Sequence, residues 1–345
     1  MSTTTSNAAP ATGAPSGHGT PPASVFSRIL GGSAGRNAGL VIALILLIII
    51  GGITSGQNFL SVNNLLTVLR LASIIGVISI GMTFVIISGG IDLSVGSVLG
   101  LTSVVATLAA VQQAATSFWP LMVIVALAVG VFAGIINGVV IAYGNVVAFM
   151  ATLAMLVASR GVAEILSKRS TQIVNVDTFG DIFGGNLIGI PILVWMFLLV
   201  AVAGWILLNR TTFGRRTVAI GGNREAARLA GINVKRHTVY LYALAGLTAG
   251  IAGVMMLGRT TAGTSTHGTL YELDAIAAVV VGGTLLIGGR GSIVGTVLGV
   301  LIFATLTNVF TQNNLDTSVQ AVAKGLIIVV AVLLQQRFAA RGRTH

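Results

Sequence analysis

Cysteine is absent from this chain of 345 residues, acidic side chains number only 8, and charged residues of both signs make up 8%. Without thiols there are no disulfides, no cysteine-held iron–sulfur clusters and no thiolate zinc sites. A soluble domain carries roughly 25% charged residues, so this composition cannot cover a surface that faces water. Two chemical signatures are missing as well. No G-x-x-x-x-G-K-[ST] loop is there to cradle a nucleotide's phosphates, and no H-E-x-x-H pairs histidines for zinc. The four histidines, His18, His237, His267 and His345, are too scattered for a metal site or a charge-relay triad. Gly289-Arg-Gly291 followed by Gly295 superficially looks like a dinucleotide loop, but no strand precedes it. These absences exclude soluble enzymes, secreted disulfide scaffolds and disordered regulators. No cofactor and no metal are expected on the chain itself.

What fills the chain instead is apolar. Hydrophobic residues reach 54% and the mean hydropathy is +0.97. The apolar stretches are continuous rather than alternating, which favours membrane helices over a membrane β-barrel. Ten candidate spans lie at 38–55, 71–88, 94–112, 119–143, 147–167, 188–208, 238–258, 271–288, 292–313 and 317–336. The expected fold is all-α: a polytopic membrane bundle of about ten transmembrane helices with one short helix outside the bilayer. Residues 1–36, rich in Ser, Thr, Ala, Pro and Gly, are expected to form a disordered tail, 37–337 the membrane domain, and 338–345 a basic C-terminal tail.

The net charge of +11 would suggest nucleic acid in a soluble protein. Its placement argues otherwise. With the N-terminus inside, thirteen Lys and Arg fall on the inner side and five on the outer side (Arg70, Arg160, Lys168, Arg169 and Arg259), while Lys324 sits within a span. That bias places both termini in the cytoplasm and makes the basic character a matter of topology, with no nucleic-acid partner required. Two tight inner turns carry glycine pairs, Gly89-Gly90 and Gly288-Gly289. Each is followed at the same interval by a near-identical stretch, VGSVLG from Val95 and VGTVLG from Val294. This matches either an ancestral duplication or two independent glycine-rich packing helices. Glycines at every fourth position (Gly130, Gly134 and Gly138; Gly246 and Gly250) predict close helix packing.

Few residues could carry chemistry. Asp92, with Ser94 beside it in the GGIDLSVGS turn, is either a helix cap or a substrate contact at membrane depth. Arg160 and Glu164, one turn apart, are expected to neutralise each other. Lys324 could snorkel, meet a carbonyl or line a polar path. Asn145, Phe149 and Thr152 at i, i+4 and i+7 would place a polar–aromatic–polar stripe on one helical face. Such a stripe suits a small polyol or simple interhelical packing. The most specific feature is the long inner loop 209–237, where Gly221, Gly222, Asn223, Arg224, Glu225, Ala226, Ala227, Arg228, Leu229, Ala230 and Gly231 read as a short helix. Asn223 caps it, Gly231 ends it, and its alanines and Leu229 offer a small apolar surface that a partner's groove could grip. A plain surface helix serving topology is the alternative.

At these residues the chain resembles the permease subunit of bacterial ABC sugar importers of the ribose/xylose/galactose type. GGIDLSVGS (Gly89–Ser97), NVVAFMATLAM (Asn145–Met155), GRRTVAIGGNREAARLAGI (Gly214–Ile232), YELDAIAAVVVGGT (Tyr271–Thr284) and GGRGSIVGT (Gly288–Thr296) match that family's motifs in order. Ala154 stands where the family more often has Gly. The resemblance implies a bacterial cytoplasmic-membrane protein in which two permease copies form the pathway for a ribose-like monosaccharide. A separate ABC ATPase would dock under the short helix and hold the ATP. An extracytoplasmic sugar-binding protein would land on the outer segments 168–187 and 259–270. Asp92, Ser94, Asn145, Phe149 and Thr152 would then be candidates for the pathway. A self-sufficient secondary carrier or channel is the competing class, and it would need a coupling-ion site, with carboxylates near mid-membrane or broken helices.

Overall fold

The computed structural model describes Ser2 and residues 33–341, and the remainder of both expected tails lies outside the described residues. Helix α1 (Ser33–Ser55) begins just inside the stretch read as tail. There follow α2 (Val62–Ile87), α3 (Val95–Ala106), α4 (Ala109–Ala115), α5 (Pro120–Ala142) and α6 (Ala148–Ser167). A polar connection then holds β1 (Gln172–Ile173), α7 (Asp177–Gly184), β2 (Asn186–Leu187) and β3 (Ile190–Pro191). After α8 (Ile192–Arg210) come two short helices, α9 (Thr212–Gly222) and α10 (Arg224–Leu229). The chain finishes with α11 (Val234–Thr260), β4 (Ala262–Gly263), α12 (Tyr271–Val281), α13 (Ile293–Gln312) and α14 (Thr317–Arg341).

Local chemistry sets several of these boundaries. The Ser61 hydroxyl accepts the Asn64 amide at 3.2 Å to open α2, and Ser292 does the same for Gly295 at 3.2 Å to open α13. Pro120 occupies the first turn of α5, where its missing N–H costs nothing.

Seven helices among the described residues are long and apolar enough to cross a membrane, or eight if the bent pair α3–α4 is one span. The expected ten is therefore too many as full spans. The third expected span breaks at Thr107–Leu108 with a bend of 61° between α3 and α4. The eighth is α12, whose 11 residues reach only about 16 Å, well short of a bilayer core. Chain that leaves a helix at membrane depth must be buried in protein. Here Gly282, Thr284 and Gly288 are buried, and Leu285 N–H reaches the Arg290 carbonyl at 3.0 Å. The tenth expected span falls on α14, part of which lies outside the described side chains.

The core centres on α2 and α11, whose most apolar windows are 83% and 78% buried, against 6% for α1. The glycine stripes of α5 and α11 face each other. A methyl group at Gly138 would lie 2.6 Å from the Val239 Cα, and one at Gly250 would lie 2.8 Å from the Ala126 carbonyl oxygen. Backbones in direct contact gain dispersion where lipid offers no hydrophobic drive. Polar stitches add specificity. Asn64 and Asn308 exchange amide hydrogen bonds at 2.9 and 2.8 Å between α2 and α13, and Thr83 meets Thr296 at 2.7 Å. Lys324, left open by the sequence, donates to both Asp274 oxygens at 3.2 Å, joining α14 to α12.

Candidate functional site

At one end of the bundle the chain builds a small structured platform. The Thr211 hydroxyl accepts the Gly214 amide at 3.3 Å, opening α9. Phe213 packs against His237 with ring centroids 4.6 Å apart and planes tilted by 41°, and Thr217 meets His237 Nε2 at 2.9 Å, which fastens α9 to the start of α11. Asn223 breaks the helix with an extended backbone and caps the next one, its Oδ1 accepting the Ala226 amide at 2.9 Å. Gly231, at φ +84°, closes α10: its N–H reaches the Arg228 carbonyl and Ile232 N–H reaches that of Ala227, at 3.0 and 3.1 Å. Both caps fall where the sequence placed them.

The exposed face of α10 differs from the expectation in one respect. Ala227 is buried against Ile220 and Val234, so it anchors the helix and is not part of the surface offered outward. Leu229 is 74% exposed, with Ala226 and Ala230 beside it. Glu225 accepts Arg228 Nε and NH2 at 3.1 and 2.6 Å. That hydrogen bond holds the Glu225 carboxyl below its ordinary range. Fully solvated, the pair contributes little to stability but fixes two charges beside Leu229. Three cation–aromatic contacts ring the same end: Arg210 over Trp205, Lys235 over Tyr143 and Arg236 over Tyr240, at 5.4 to 5.5 Å.

Directly within that end lies a buried polar turn. Asp92 is 1% exposed, and its Oδ1 accepts both the Ser94 amide at 2.9 Å and the Ser94 hydroxyl at 2.6 Å. Ser94 Oγ in turn accepts Asn137 Nδ2 of α5 at 2.9 Å. The Ile91 carbonyl accepts Tyr242 from α11 at 3.3 Å and Thr152 from α6 at 3.4 Å. The GGIDLS turn is thereby held from three helices, and Asp92 acts two residues ahead of the cap position of α3, which Ser94 occupies. Asn137 and Tyr242 were not singled out in the sequence, although Asn137 is the only strongly polar side chain in α5.

The stripe of Asn145, Phe149 and Thr152 does not share a face. α6 starts only at Ala148, so Asn145 stands in the preceding turn at φ +53°. A helical period does not run through that turn. Phe149 is exposed, whereas Thr152 is buried and bonds the Ala148 carbonyl at 2.9 Å. Arg160 and Glu164, one turn apart, take different hydrogen-bond partners. Glu164 pairs with Arg169 at 3.0 Å, while the Arg160 guanidinium donates to the carbonyls of Ser265 and His267.

That arginine belongs to the opposite end of the bundle, where the two long connections form one cap. β1 pairs antiparallel with β4, Gln172 opposite Gly263 and Ile173 opposite Ala262. Gln112 holds the strand from below, donating to the Ile173 carbonyl at 3.0 Å and accepting the Asn175 amide at 2.7 Å. His267 meets Ser103 at 3.3 Å. Burial, with Arg160 and Arg259 nearby, pushes its imidazole down to about 4. At neutral pH it is therefore an uncharged part of the packing.

The long apolar helices that carry platform, buried turn and cap define a polytopic α-helical membrane protein. The chain belongs to the family described as branched-chain amino acid transport system / permease component, whose profile matches residues 64–332. It is 41% identical over 302 residues to the ribose import permease protein RbsC of Escherichia coli K12, covering 86% of this chain and 92% of that one. The RbsC of Bacillus subtilis 168 is 43% identical over 305 residues, covering 88% and 93%. The xylose transport system permease protein XylH of E. coli K12 is 34% identical over 356 aligned positions, covering 85% and 90%. No solved structure matches the chain. The resemblance to sugar-importer permeases is borne out.

Proposed function

We propose that this chain is the membrane subunit of an ATP-driven importer for a ribose-like monosaccharide, seated in the bacterial cytoplasmic membrane with both termini inside. Two copies enclose the pathway. A separate ABC ATPase holds the nucleotide and grips α10, and an extracytoplasmic sugar-binding protein delivers cargo to the β1–β4 cap. The chain itself carries no cofactor and no metal in this reading. The observation that carries it is the capped helix α10, buried through Ala227 and presenting Leu229 outward. A rigid helix whose apolar residue is left in water is suited to a partner's groove. The ribose and xylose permeases among the relatives support the cargo.

Sidedness is testable in this cysteine-free chain. A membrane-impermeant maleimide should label Thr178→Cys and Thr269→Cys in intact cells, both at exposed positions of the cap. It should spare Ala226→Cys until the membrane is opened. Labelling of Ala226→Cys in intact cells would overturn the orientation and the docking of an ATPase with it.

A further inference from the structure

Three glycine pairs meet at one point. Gly89 and Gly90 leave α2, Gly288 and Gly289 precede α13, and Gly221 and Gly222 end α9 immediately before α10. Gly289 N–H donates to the Ile87 carbonyl at 2.8 Å, a backbone bond between turns far apart in sequence. Gly221 lies against that bond. A methyl group there would overlap the Ile87 oxygen outright and come within 2.5 Å of the Gly289 nitrogen. A methyl at Gly288 would lie 3.0 Å from both the Gly221 oxygen and the Gly89 nitrogen. Gly222, one residue on, has nothing within 4 Å of its own methyl position. Backbone presses on backbone here, with no flexible side chain to yield. The bond at Ile87 is also only a few residues from the buried Asp92–Ser94–Asn137 chain.

We infer that Gly221 is a positioning residue for energy coupling: it passes displacement of α10 to both glycine turns at once, and through Ile87 to the buried turn at Asp92. This rests on the reading of α10 as the seat of an ATPase. The physical ground is continuity of rigid parts. Asn223 caps α10 directly onto the end of α9, and Ala227 packs on Ile220 and Val234, so α10 cannot shift without moving Gly221. The two turns pivot at glycines in the left-handed region, Gly89 at φ +82° and Gly289 at φ +79°, which other residues adopt only under strain. A coupling route needs elements that move as units, and the backbone contacts at Gly221 would tie α9, α10 and both turns into one.

The test uses proteoliposomes holding the permease with its ATPase and sugar-binding protein, with radiolabelled D-ribose inside the binding protein's reach. Gly221→Ala should still bind the ATPase and hydrolyse ATP, yet the ribose moved per ATP should fall by roughly tenfold or more. Gly161→Ala, on α6 with nothing within 4 Å of its methyl position, should keep the wild-type ratio. Gly130→Ala, which clashes in the α5–α11 packing instead, should lower melting temperature without altering the ratio. Should Gly221→Ala not fold, two glycines inserted between Gly222 and Asn223 leave the junction intact but free α10 from it. That variant should show the same uncoupled hydrolysis. An unchanged ratio in Gly221→Ala, or in the insertion variant, overturns the inference alone. A wild-type permease that binds no ATPase overturns both it and the proposed function.

Discussion

Leu229→Asp is expected to abolish capture of the proposed ATPase while the permease itself stays folded and inserted. The side chain is 74% exposed on α10, so removing it from the free protein costs no core packing. In the complex, an apolar anchor in a groove is worth at least about 2 kcal/mol, roughly thirtyfold in affinity. A carboxylate there would also be desolvated without a partner, because Arg228 is already engaged by Glu225. Ala227→Gly should behave differently. It removes a buried methyl and costs about 1 kcal/mol of helix propensity, so it loosens α10 without deleting its contact. Co-purification with a tagged ATPase separates the two variants. Full recovery of ATPase by Leu229→Asp would remove α10 from the interface.

The second large effect concerns Asp92. Read as a simple cap, Asp92→Ala would cost about 0.5–2 kcal/mol. The structure raises that figure, because Asp92 heads a buried chain in which Ser94 donates to it and Asn137 donates to Ser94. Deleting the carboxylate strands the buried Ser94 hydroxyl and the Ser94 backbone N–H that donate to it, each costing about 1–3 kcal/mol. Asp92→Ala and Asn137→Leu should each lower the melting temperature clearly. Asp92→Asn keeps an oxygen to accept from Ser94 and should be mild. If Asp92→Asn instead melts normally and loses transport, the carboxylate belongs to the sugar's path.

Much of this architecture is legible in the sequence because membrane helices announce themselves by length and apolarity. Expected spans at 119–143 and 292–313 correspond to Pro120–Ala142 and Ile293–Gln312. The caps of α10 were equally plain, since Asn and Gly at helix ends have local causes. What hydropathy cannot show is where an apolar run stops being helical. α12 ends at Val281 although the apolar pattern continues to Gly288, and the turn beyond it pairs its own backbone, Leu285 N–H with the Arg290 carbonyl and Gly288 N–H with that of Leu285. Partners distant in sequence were also hidden. Arg160 and Glu164 sit one turn apart, yet Arg160 turns to carbonyls of the 264–270 loop and Glu164 to Arg169. Lys324 finds Asp274 by tertiary folding alone. The meeting of Gly221 with Ile87 and Gly289 leaves no periodic trace, although three Gly-Gly pairs at one predicted membrane face were a signal that could have been weighed together.

The most direct measurement of the central claim is uptake of radiolabelled D-ribose into proteoliposomes assembled with and without each proposed component. ATP-dependent uptake should require the permease, the ATPase and the sugar-binding protein together, and it should disappear when any one is omitted. The permease alone, under a proton or sodium gradient, should take up no more ribose than protein-free vesicles. Gradient-driven uptake by the permease alone would contradict the account and make this chain a self-sufficient carrier.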